Sequence, residues 1–439
     1  MTRKRRRWLV LSHCYNMDGR AASQTITDKM PFLLERGIEP VIVSALTGEK
    51  DELLEHHQVT SLAPSGLKFE LRHLVRSKIR NVFLRKVVKL STSLLILFPY
   101  LLEKLFVRLD SHWSWAFTAY FKSMKLIKSK EFELIYSTGG AHCAHHAAWM
   151  LKKKIGLPWI AEVHDPMYND SWPSNAKTKW SRKLEERICQ KADLVWWFTN
   201  KAKERALHRN PSLKEKGHVV IPGCECPEFS DVYRKNEFFD IGHFGSLHES
   251  RNLVPLIKAM SENSKRDESF ASKTRLHVYG GHLDSFSKAA VEEEGLEDMI
   301  IEHGRLEKDL ATGKSGRQQV LDAMRCSDLL VLVHGENPDC EEYIPSKLYE
   351  YLWAQRPVLG IIWRNNLLEK VIIEQGHEHA STDQSNLISE LLFKNFSKWS
   401  SSTGLPDTGR ASPFTTEEAV LRILSLVDDQ MEPTAQSFK

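Results

Sequence analysis

The sequence predicts an α/β protein made of two parallel-sheet domains, and three observations lead to this fold class. Short apolar runs alternate with helical stretches along most of the chain, as in parallel sheets whose strands are joined by helices. The alternation starts again near residue 238, after a polar stretch at 223–236. The 439 residues are also too many for one ordinary core and fit two domains.

The first domain opens with a strand, a glycine loop, a helix and a second strand. The apolar run 8–13 breaks into a polar loop that contains Gly19, a helical pattern covers 21–36, and the next apolar run is 40–45. This order is typical of the first unit of a parallel sheet. Further strands are predicted at 134–138, 159–163, 194–198 and 218–222. We therefore expect a Rossmann-like domain over residues 1–228.

The second domain repeats the pattern over residues 229–410. Its predicted strands are 238–245, 275–281, 299–304, 328–333 and 357–362, and its predicted helices include 252–262 and 317–326. Residues 395–413 are rich in Ser, Thr, Gly and Pro, which predicts a loop or crossover, and 417–427 is an amphipathic final helix. We assign 411–439 to a crossover helix and tail. Two such domains leave a cleft that the carboxyl ends of their strands face.

Composition and charge exclude several classes of protein. Lys and Arg exceed Asp and Glu by only 61 to 57, a net charge of +4, which does not favour nucleic-acid binding. The seven cysteines include no C-x-x-C pair, which argues against a zinc site or a disulfide framework and favours a reducing, cytoplasmic location. The apolar stretch after the basic N-terminus is four residues long, which is too short for an export signal.

Residues 70–109 interrupt the alternation of strands and helices. Between 71 and 90 the chain has no acidic residue, and the apolar stretch 94–107, interrupted by Pro99, is shorter than the roughly 20 residues that span a membrane. The basic residues are Arg72, Arg76, Lys78, Arg80, Arg85, Lys86 and Lys89. This composition predicts that 71–107 lies on an anionic membrane surface as an interfacial segment. The alternative is a solvated helix followed by a buried one.

Two glutamates, Glu342 and Glu350, are separated by seven residues that include Pro345. Proline suits the first turn of a helix, so Glu342 is predicted to lie in the loop before that helix. The free N–H groups of 346–348, the helix dipole and Lys347 would then form a site for a phosphate. Glu350 could accept hydrogen bonds from a ribose diol, and Glu342 from a second sugar. The alternative is a core helix on which both glutamates are solvated.

A histidine cluster at His142, His145 and His146 resembles a metal site only superficially. His142 and His146 are one helical turn apart, but no cysteine or carboxylate stands at ligand spacing. We therefore expect a packed or solvated helix face and no bound metal.

Several short motifs follow one another along the chain in a recognisable order. They are S-T-G-G-A-H (137–142), G-L-P-W-I-A-E-V-H-D-P (156–166), A-D-L-V-W-W-F-T (192–199), V-I-P-G (220–223), I-G-H-F-G-S-L (241–247), V-Y-G-G (278–281), C-S-D-L-L-V-L-V (326–333), I-P-S-K-L-Y-E-Y-L (344–352) and R-P-V-L (356–359). Together they resemble the GT-B glycosyltransferases, and within them glycosyltransferase family 4 of the bacterial surface-polysaccharide type. The resemblance covers nearly the whole chain. It implies two Rossmann-like domains facing across a cleft, with the C-terminal helix crossing back.

The resemblance also implies that the C-terminal domain binds a nucleotide-diphosphate sugar. Glu350 matches the residue that holds the ribose hydroxyls, and Glu342 matches the residue that faces the transferred sugar. Gly245 and Ser246 match the turn that approaches the phosphates, where a glycine permits close contact. Arg251 falls where the family places a diphosphate-binding lysine, and its charge would stabilise the leaving nucleotide. The alternative for Arg251 is a surface residue in the first turn of a helix.

In the N-terminal domain, the resemblance points to a histidine and two neighbouring features. His164 matches a histidine that contacts the donor sugar and phosphate, although a structural histidine at a strand end is the alternative. Asp165 would orient the ring or touch the acceptor. Gly19 matches the glycine loop that lines the cleft.

Two positions depart from the family pattern. Ser250 replaces the first residue of a frequent basic pair, so Lys347 is expected to supply the missing charge. The loop before Glu350 lacks the usual glycine, which leaves the sugar contacts of Glu342 open. The candidate catalytic residues are thus Glu342, His164, Arg251 and Lys347; the donor-binding candidates are Gly19, Gly245, Ser246, Ser346, Leu348 and Glu350; the acceptor candidate is Asp165.

The resemblance implies a retaining, metal-independent glycosyltransferase with no cofactor besides its nucleotide-sugar substrate. The expected donor is a UDP- or GDP-sugar, and the expected acceptor is a lipid-linked saccharide or a lipopolysaccharide intermediate. The protein would be peripheral on the inner face of the cell membrane. Two alternatives remain: a nucleotide-sugar epimerase or phosphorylase of the same fold, and an inactive GT-B scaffold at the membrane.

Overall fold

Two parallel sheets form the framework of the chain, one in each of two units. The structure, a computed structural model, describes residues 6–17, 20–79, 81–306, 309, 311–401 and 411–431, without the side chains of 76–78, 82 and 431. The first unit comprises Met1–Gly223 together with Thr416–Lys439, and the second comprises Cys224–Thr415. The predicted α/β class with two parallel sheets is confirmed.

The first sheet has seven strands within the described residues. They are β1 (Arg6–Leu11), β2 (Ile38–Ser44), β3 (Glu55–Gln58), β4 (Leu134–Gly139), β5 (Trp159–Val163), β6 (Leu194–Trp197) and β7 (Gly217–Val219). The helices between them are α1 (Ala21–Thr27), α2 (Met30–Glu35), α3 (Pro64–Lys78), α4 (Val82–Phe106), α5 (Trp115–Ser129), α6 (His142–Ile155), α7 (Ala176–Lys191) and α8 (Asn200–Arg209). The strand order is β3-β2-β1-β4-β5-β6-β7, and every neighbouring pair is parallel.

The central strands bury side chains on both faces of this sheet, which explains their continuous apolar sequences. In β1, Leu9 and Leu11 enter a core that α5, α6 and α7 cover. Trp8 and Val10, on the opposite face, enter a second core that includes residues of α1 and α2. The alternation of β1 side chains therefore builds two cores from one strand.

The helix predicted over 21–36 is instead two short helices. The first ends at Thr27 and the second begins at Met30, with Pro31 in its first turn. Proline is favoured at the start of a helix because it lacks an N–H group. Lys29 lies at this break and is buried.

The second sheet has six strands in the described part of the chain. They are β8 (Phe239–Phe244), β9 (Thr274–Tyr279), β10 (Ile300–Gly304), β11 (Leu329–Val333), β12 (Val358–Ile362) and β13 (Glu378–Ser381). The helices are α9 (Val254–Arg266), α10 (Glu268–Lys273), α11 (Ser285–Glu294), α12 (Gly316–Cys326), α13 (Lys347–Ala354), α14 (Asn366–Glu374) and α15 (Ser385–Ser401). The order β10-β9-β8-β11-β12-β13 places β8 and β11 side by side in the middle. The site described below lies at the carboxyl ends of these two strands.

The C-terminal part of the chain returns to the first unit. The final helix, α16 (Thr416–Met431), places Val420, Ile423 and Val427 in the core that also holds Trp8. The predicted crossing of the last helix is confirmed. The predicted loop at 395–413 is wrong at its start, because α15 continues to Ser401 and buries Phe396 and Trp399; residues 402–410 lie outside the described part.

Helices α3 and α4 form the segment that the sequence assigns to a membrane surface. Helix α4 has 25 residues and continues through Pro99. Among its described side chains, twelve large apolar ones are exposed: Phe83, Leu84, Val87, Leu90, Leu94, Leu95, Leu97, Phe98, Leu101, Leu102, Leu105 and Phe106. The alternative of a buried second helix is therefore wrong. No described helix is long and apolar enough to span a membrane.

A buried carboxylate of α4 is hydrogen-bonded to neighbouring residues of its unit. Glu103 accepts hydrogen bonds from the Ser65 N–H at 2.7 Å and from Trp113 Nε1 at 2.8 Å. Because a buried carboxylate needs such donors, Glu103 fixes the side of α4 that turns inward. The apolar side chains of the helix remain on the outside.

Candidate functional site

A glycine turn follows β8 at the middle of the second sheet. Gly245 has φ +147°, a conformation that L side chains rarely adopt, and its N–H donates to Tyr279 O at 2.9 Å. A Cβ added to Gly280, which has φ +98°, would lie 2.9 Å from Gly245 O. Two chain segments thus approach each other more closely than side chains would allow, and the turn after β8 stays open for a ligand.

Arg251 is held against this turn. Its guanidinium donates from Nε to Ser246 O at 3.1 Å and from an Nη to Ser246 Oγ at 3.2 Å. The backbones of His248 and Arg251 also exchange two hydrogen bonds. The helix α9 begins at Val254, so Arg251 lies in the loop before it and not in its first turn as the alternative supposed. A fixed positive charge therefore stands beside the glycine turn.

The loop after β11 packs against the Arg251 loop. The N–H of Glu336 donates to Ser250 O at 2.6 Å, and a Cβ on Gly335 would lie 2.9 Å from the same oxygen. The loop that leads to Glu342 is thus anchored to the residues next to Arg251.

Glu342 ends a short 3₁₀ turn, Pro338–Glu342, and is only 2% exposed. The turn is fixed from behind by Asn365 and His334. Asn365 Nδ2 donates to Cys340 O at 2.7 Å and to Tyr343 O at 2.9 Å, and His334 Nε2 contacts Cys340 O at 2.6 Å. Burial, reinforced by the charge of Arg251, lowers the pKa of His334 to about 4, so the neutral ring donates from Nε2.

The helix after Glu342 begins later than the sequence suggested. Helix α13 starts at Lys347 with Ser346 as its N-cap, and Pro345 precedes both. The prediction of a free N–H on Leu348 is wrong, because this group donates to Pro345 O at 3.0 Å. The Leu348 side chain is fully buried. The first turn therefore presents Ser346 and Lys347 to a ligand.

Glu350, on the same helix, is 8% exposed and lies between two cations. Its carboxylate is 3.7 Å from Lys347 Nζ and 3.8 Å from Arg317 Nε. The reading of both glutamates as solvated is therefore wrong. Sequence reasoning missed Arg317, which α12 supplies from its first turn, because no interval in the chain links it to Glu350.

A buried histidine, His243, lies near the end of β8. Burial lowers the pKa of His243 to about 4, and the charges of Arg251 and Lys347 contribute in the same direction. Both cations therefore act on one place at the end of β8. The arrangement offers a glycine turn and positive charge for an anion, and buried carboxylates for hydroxyl groups.

The two described candidate residues of the first unit directly follow β5. His164 comes directly after β5 and is buried, whereas Asp165 is exposed. A Cβ on Gly140, just after β4, would lie 3.3 Å from Asp165 Oδ2, so the glycine leaves room for this carboxylate. Gly19 lies outside the described residues.

The histidines of α6 have ordinary structural partners. His145 is fully buried and its Nδ1 lies 2.9 Å from Ser137 Oγ, while His142 Nδ1 contacts Asp110 at 3.4 Å. Within the described residues, no group of three or more His, Cys, Asp or Glu is arranged to hold a metal ion.

The two sheets, their strand orders and the returning final helix define the GT-B fold, and solved structures confirm it. Sucrose-phosphate synthase from Thermosynechococcus elongatus is 14% identical over 97% of this chain and 99% of its own, with a TM-score of 0.62. TarM is 11% identical over 97% and 99% of the two chains, with a TM-score of 0.63. WaaG, a glycosyltransferase involved in lipopolysaccharide biosynthesis, is 13% identical over 97% and 100%, with a TM-score of 0.58. No family model and no curated protein sequence matches the chain.

Proposed function

We propose that this protein is a retaining glycosyltransferase that moves a sugar from a UDP- or GDP-sugar to a lipid-linked saccharide or a lipopolysaccharide-type acceptor. One observation carries the proposal: on a GT-B fold, the carboxyl ends of β8 and β11 bring together a glycine turn, Arg251, Lys347 and buried glutamates. This set matches three of the four parts of a nucleotide sugar, namely the diphosphate, the ribose diol and the transferred sugar, and leaves the base unassigned.

The diphosphate is assigned to the turn at Gly245 and Ser246. Arg251 and Lys347 neutralise it, and the charge that develops on the leaving nucleotide is stabilised by the same two cations without a metal ion. Glu350 accepts hydrogen bonds from the ribose hydroxyls, for which its burial and its two flanking cations prepare it.

The sugar and the acceptor are assigned to three carboxylate and imidazole groups. Glu342 faces the transferred sugar, His164 contacts the sugar and its phosphate, and Asp165 serves the acceptor. The acceptor hydroxyl loses its proton to the leaving phosphate on the same face of the sugar, so no carboxylate is required as a nucleophile.

Helices α3 and α4 support the proposed acceptor class. An exposed apolar helix is costly in water, and its exposed side chains are accompanied by basic residues such as Lys68, Arg72, Lys86 and Lys89. Apolar area combined with positive charge suits an anionic membrane surface. WaaG, a glycosyltransferase involved in lipopolysaccharide biosynthesis, has the same fold and supports this choice of acceptor. We assign the protein to the inner face of the cell membrane.

The experiment that tests the donor is a thermal-unfolding screen of the purified protein with UDP, GDP, ADP, CMP and their common sugar conjugates. A ligand that binds only the folded state stabilises it by about 2.7 kcal/mol at a concentration 100 times its Kd. We expect one nucleotide diphosphate and its sugars to raise the melting temperature. The rise should be lost in Glu350→Ala, and Arg251→Ala should lower turnover.

Glu369→Ala is the matched control, because Glu369 occupies the first turn of α14 as Glu350 does in α13. It should retain the full ligand-induced rise. Absence of a rise with every nucleotide would overturn the proposal in favour of a scaffold. Interconversion of the free donor without an acceptor would instead establish an epimerase.

A further inference from the structure

Among the described residues of the first unit, the most densely bonded carboxylate belongs to Glu162, on β5. The side chain is completely buried. Its donors are Lys29 Nζ at 2.5 Å, Tyr136 OH at 2.6 Å, Thr138 Oγ1 at 2.9 Å, His164 Nε2 at 2.8 Å and Trp196 Nε1 at 3.1 Å. The parallel register explains why they meet, since Glu162 pairs with Thr138 on one side and with Trp196 on the other.

Lys29 makes this buried carboxylate tolerable. It lies at the break between α1 and α2 and is itself 1% exposed. Burial alone would raise the pKa of Glu162, but the charge of Lys29 and the hydrogen bond from His164 outweigh burial and hold the pKa well below its usual range. Glu162 is therefore ionised, and an ionised carboxylate can only accept hydrogen bonds.

The second oxygen of Glu162 is directed at His164. Oε2 receives Lys29, Tyr136 and Trp196, whereas Oε1 receives His164 Nε2 and Thr138. The imidazole ring also stacks at a tilt on Phe198, with 4.8 Å between ring centroids. Because Oε1 only accepts, Nε2 must carry a proton. The other ring nitrogen, Nδ1, is then the one left for a ligand.

We infer that Glu162 is a positioning residue, which fixes His164 with a protonated Nε2 and reserves its Nδ1 for contact with the donor. This inference rests on the proposed function for its purpose. The pair itself is a feature of the first unit, and it can be tested without any substrate. Lys29 then acts on the reaction through Glu162, by keeping that carboxylate ionised inside the sheet.

The test is nitrogen NMR of the full chain labelled at histidine, with the His164 signals assigned by comparison with His164→Gln. In the wild type, the nitrogen signals should place the proton on Nε2, which faces the Glu162 carboxylate. In Glu162→Gln, the amide oxygen should turn to Lys29, and the amide N–H should then point at Nε2. The proton of His164 should therefore move to Nδ1, which inverts the two nitrogen signals.

Two further variants serve as controls. The first covers the case in which Glu162→Gln does not fold, and the second tests whether neutralising any buried glutamate of the first unit changes the His164 signals. Lys29→Met combined with Glu162→Gln removes both buried charges together. Tyr136 and Trp196 still donate to the amide oxygen on the side away from His164, so this variant should show the same inversion if the single variant does not fold. Glu185→Gln is the matched control: Glu185 is also a buried glutamate of the first unit, paired with Arg209 at 2.9 Å. This variant should leave the His164 signals unchanged.

The kinetic result separates the inference from the proposed function. With a donor identified, Glu162→Gln should lower kcat by about 100-fold with little change in KM, the scale expected when a reacting group is misplaced. Glu185→Gln should retain wild-type kcat. Unchanged His164 signals in both Glu162 variants would overturn the inference even in an active enzyme. If the His164 nitrogen signals invert in the Glu162 variants but the wild-type protein binds no nucleotide, the proposed function is overturned, while the positioning of His164 by Glu162 is still supported.

Discussion

Replacing exposed aromatic side chains of α4 should release the protein from anionic membranes without unfolding it. Phe98 and Phe106 are 72% and 78% exposed, so most of each ring lies in water. Full burial of a phenylalanine side chain is worth about 1.5–3 kcal/mol. Moving the exposed three-quarters into lipid should therefore contribute about 1–2 kcal/mol for each residue. The double change Phe98→Gln/Phe106→Gln should lower membrane partitioning by about 30- to 1000-fold, since 1.36 kcal/mol corresponds to a factor of ten.

The assay is cosedimentation of the purified protein with vesicles that contain phosphatidylglycerol and phosphatidylethanolamine. Glutamine is suited to a helix, so the double variant should keep the wild-type melting temperature. Phe286→Gln is the control, because Phe286 is also an exposed phenylalanine on a helix but belongs to the second unit. It should bind vesicles as the wild type does.

Charge should contribute separately from apolar area. Lys86→Gln/Lys89→Gln should weaken binding by about 1 kcal/mol for each charge, and the loss should be greatest at low salt. Undiminished binding of the Phe98→Gln/Phe106→Gln protein would refute the assignment of α4 to the membrane. If the wild-type protein does not cosediment with anionic vesicles, the proposed membrane location is refuted.

Three further predictions concern stability. Lys29→Met should cost about 3–5 kcal/mol in urea denaturation at pH 7, because it leaves Glu162 buried without its cation. Folding lowers the pKa of Glu162, so the ionised carboxylate contributes fully to the free energy of unfolding above the unfolded pKa of about 4.3. This contribution declines as the pH falls below that value. A free energy of unfolding that rises on acidification from pH 5 to 3 would contradict this prediction. Asn365→Ala should lower the free energy of unfolding by about 1–3 kcal/mol, because Asn365 caps α14 and fixes the loop that carries Glu342. The affinity for the donor, measured by calorimetry, should fall as well. Gly280→Ala should destabilise more than Gly295→Ala, since both have positive φ but only the first would clash with neighbouring backbone; equal melting temperatures would argue against the close approach at the glycine turn.

The sequence predicts the central strands and the edge strands β7 and β10, but it misses the edge strands β3 and β13, for a physical reason. A strand such as β11 is covered on both faces, so its residues Leu329–Val333 are all apolar. The strands β3 and β13 lie at the outer ends of their sheets. Their sequences, E-H-H-Q and E-H-A-S, carry too little apolar character to be recognised. Pairing with a neighbour, and not their own composition, makes them strands.

The candidate site divides in the same way between local and distant contributions. Glu342, Lys347 and Glu350 could be proposed from one short stretch because a loop and a helix start place them together. Arg317 and Asn365 reach the same stretch from other elements, and their separation along the chain carries no signal. The helix start itself was misplaced by two residues, because Pro345 precedes the N-cap instead of opening the first turn.

The sequence of β5 is sufficient to predict that its buried carboxylate, which contacts His164, needs a cationic partner. The strand W-I-A-E-V (159–163) contains one carboxylate inside a run that must be buried on both faces. An ionised group in that position requires donors and a cation, because burying an uncompensated charge is too costly. The need for a partner could thus be stated from five residues. The identity of this partner could not be predicted from the sequence, because Lys29 is 133 residues away from Glu162. Lys29 reaches the carboxylate because the helix predicted over 21–36 breaks beside it.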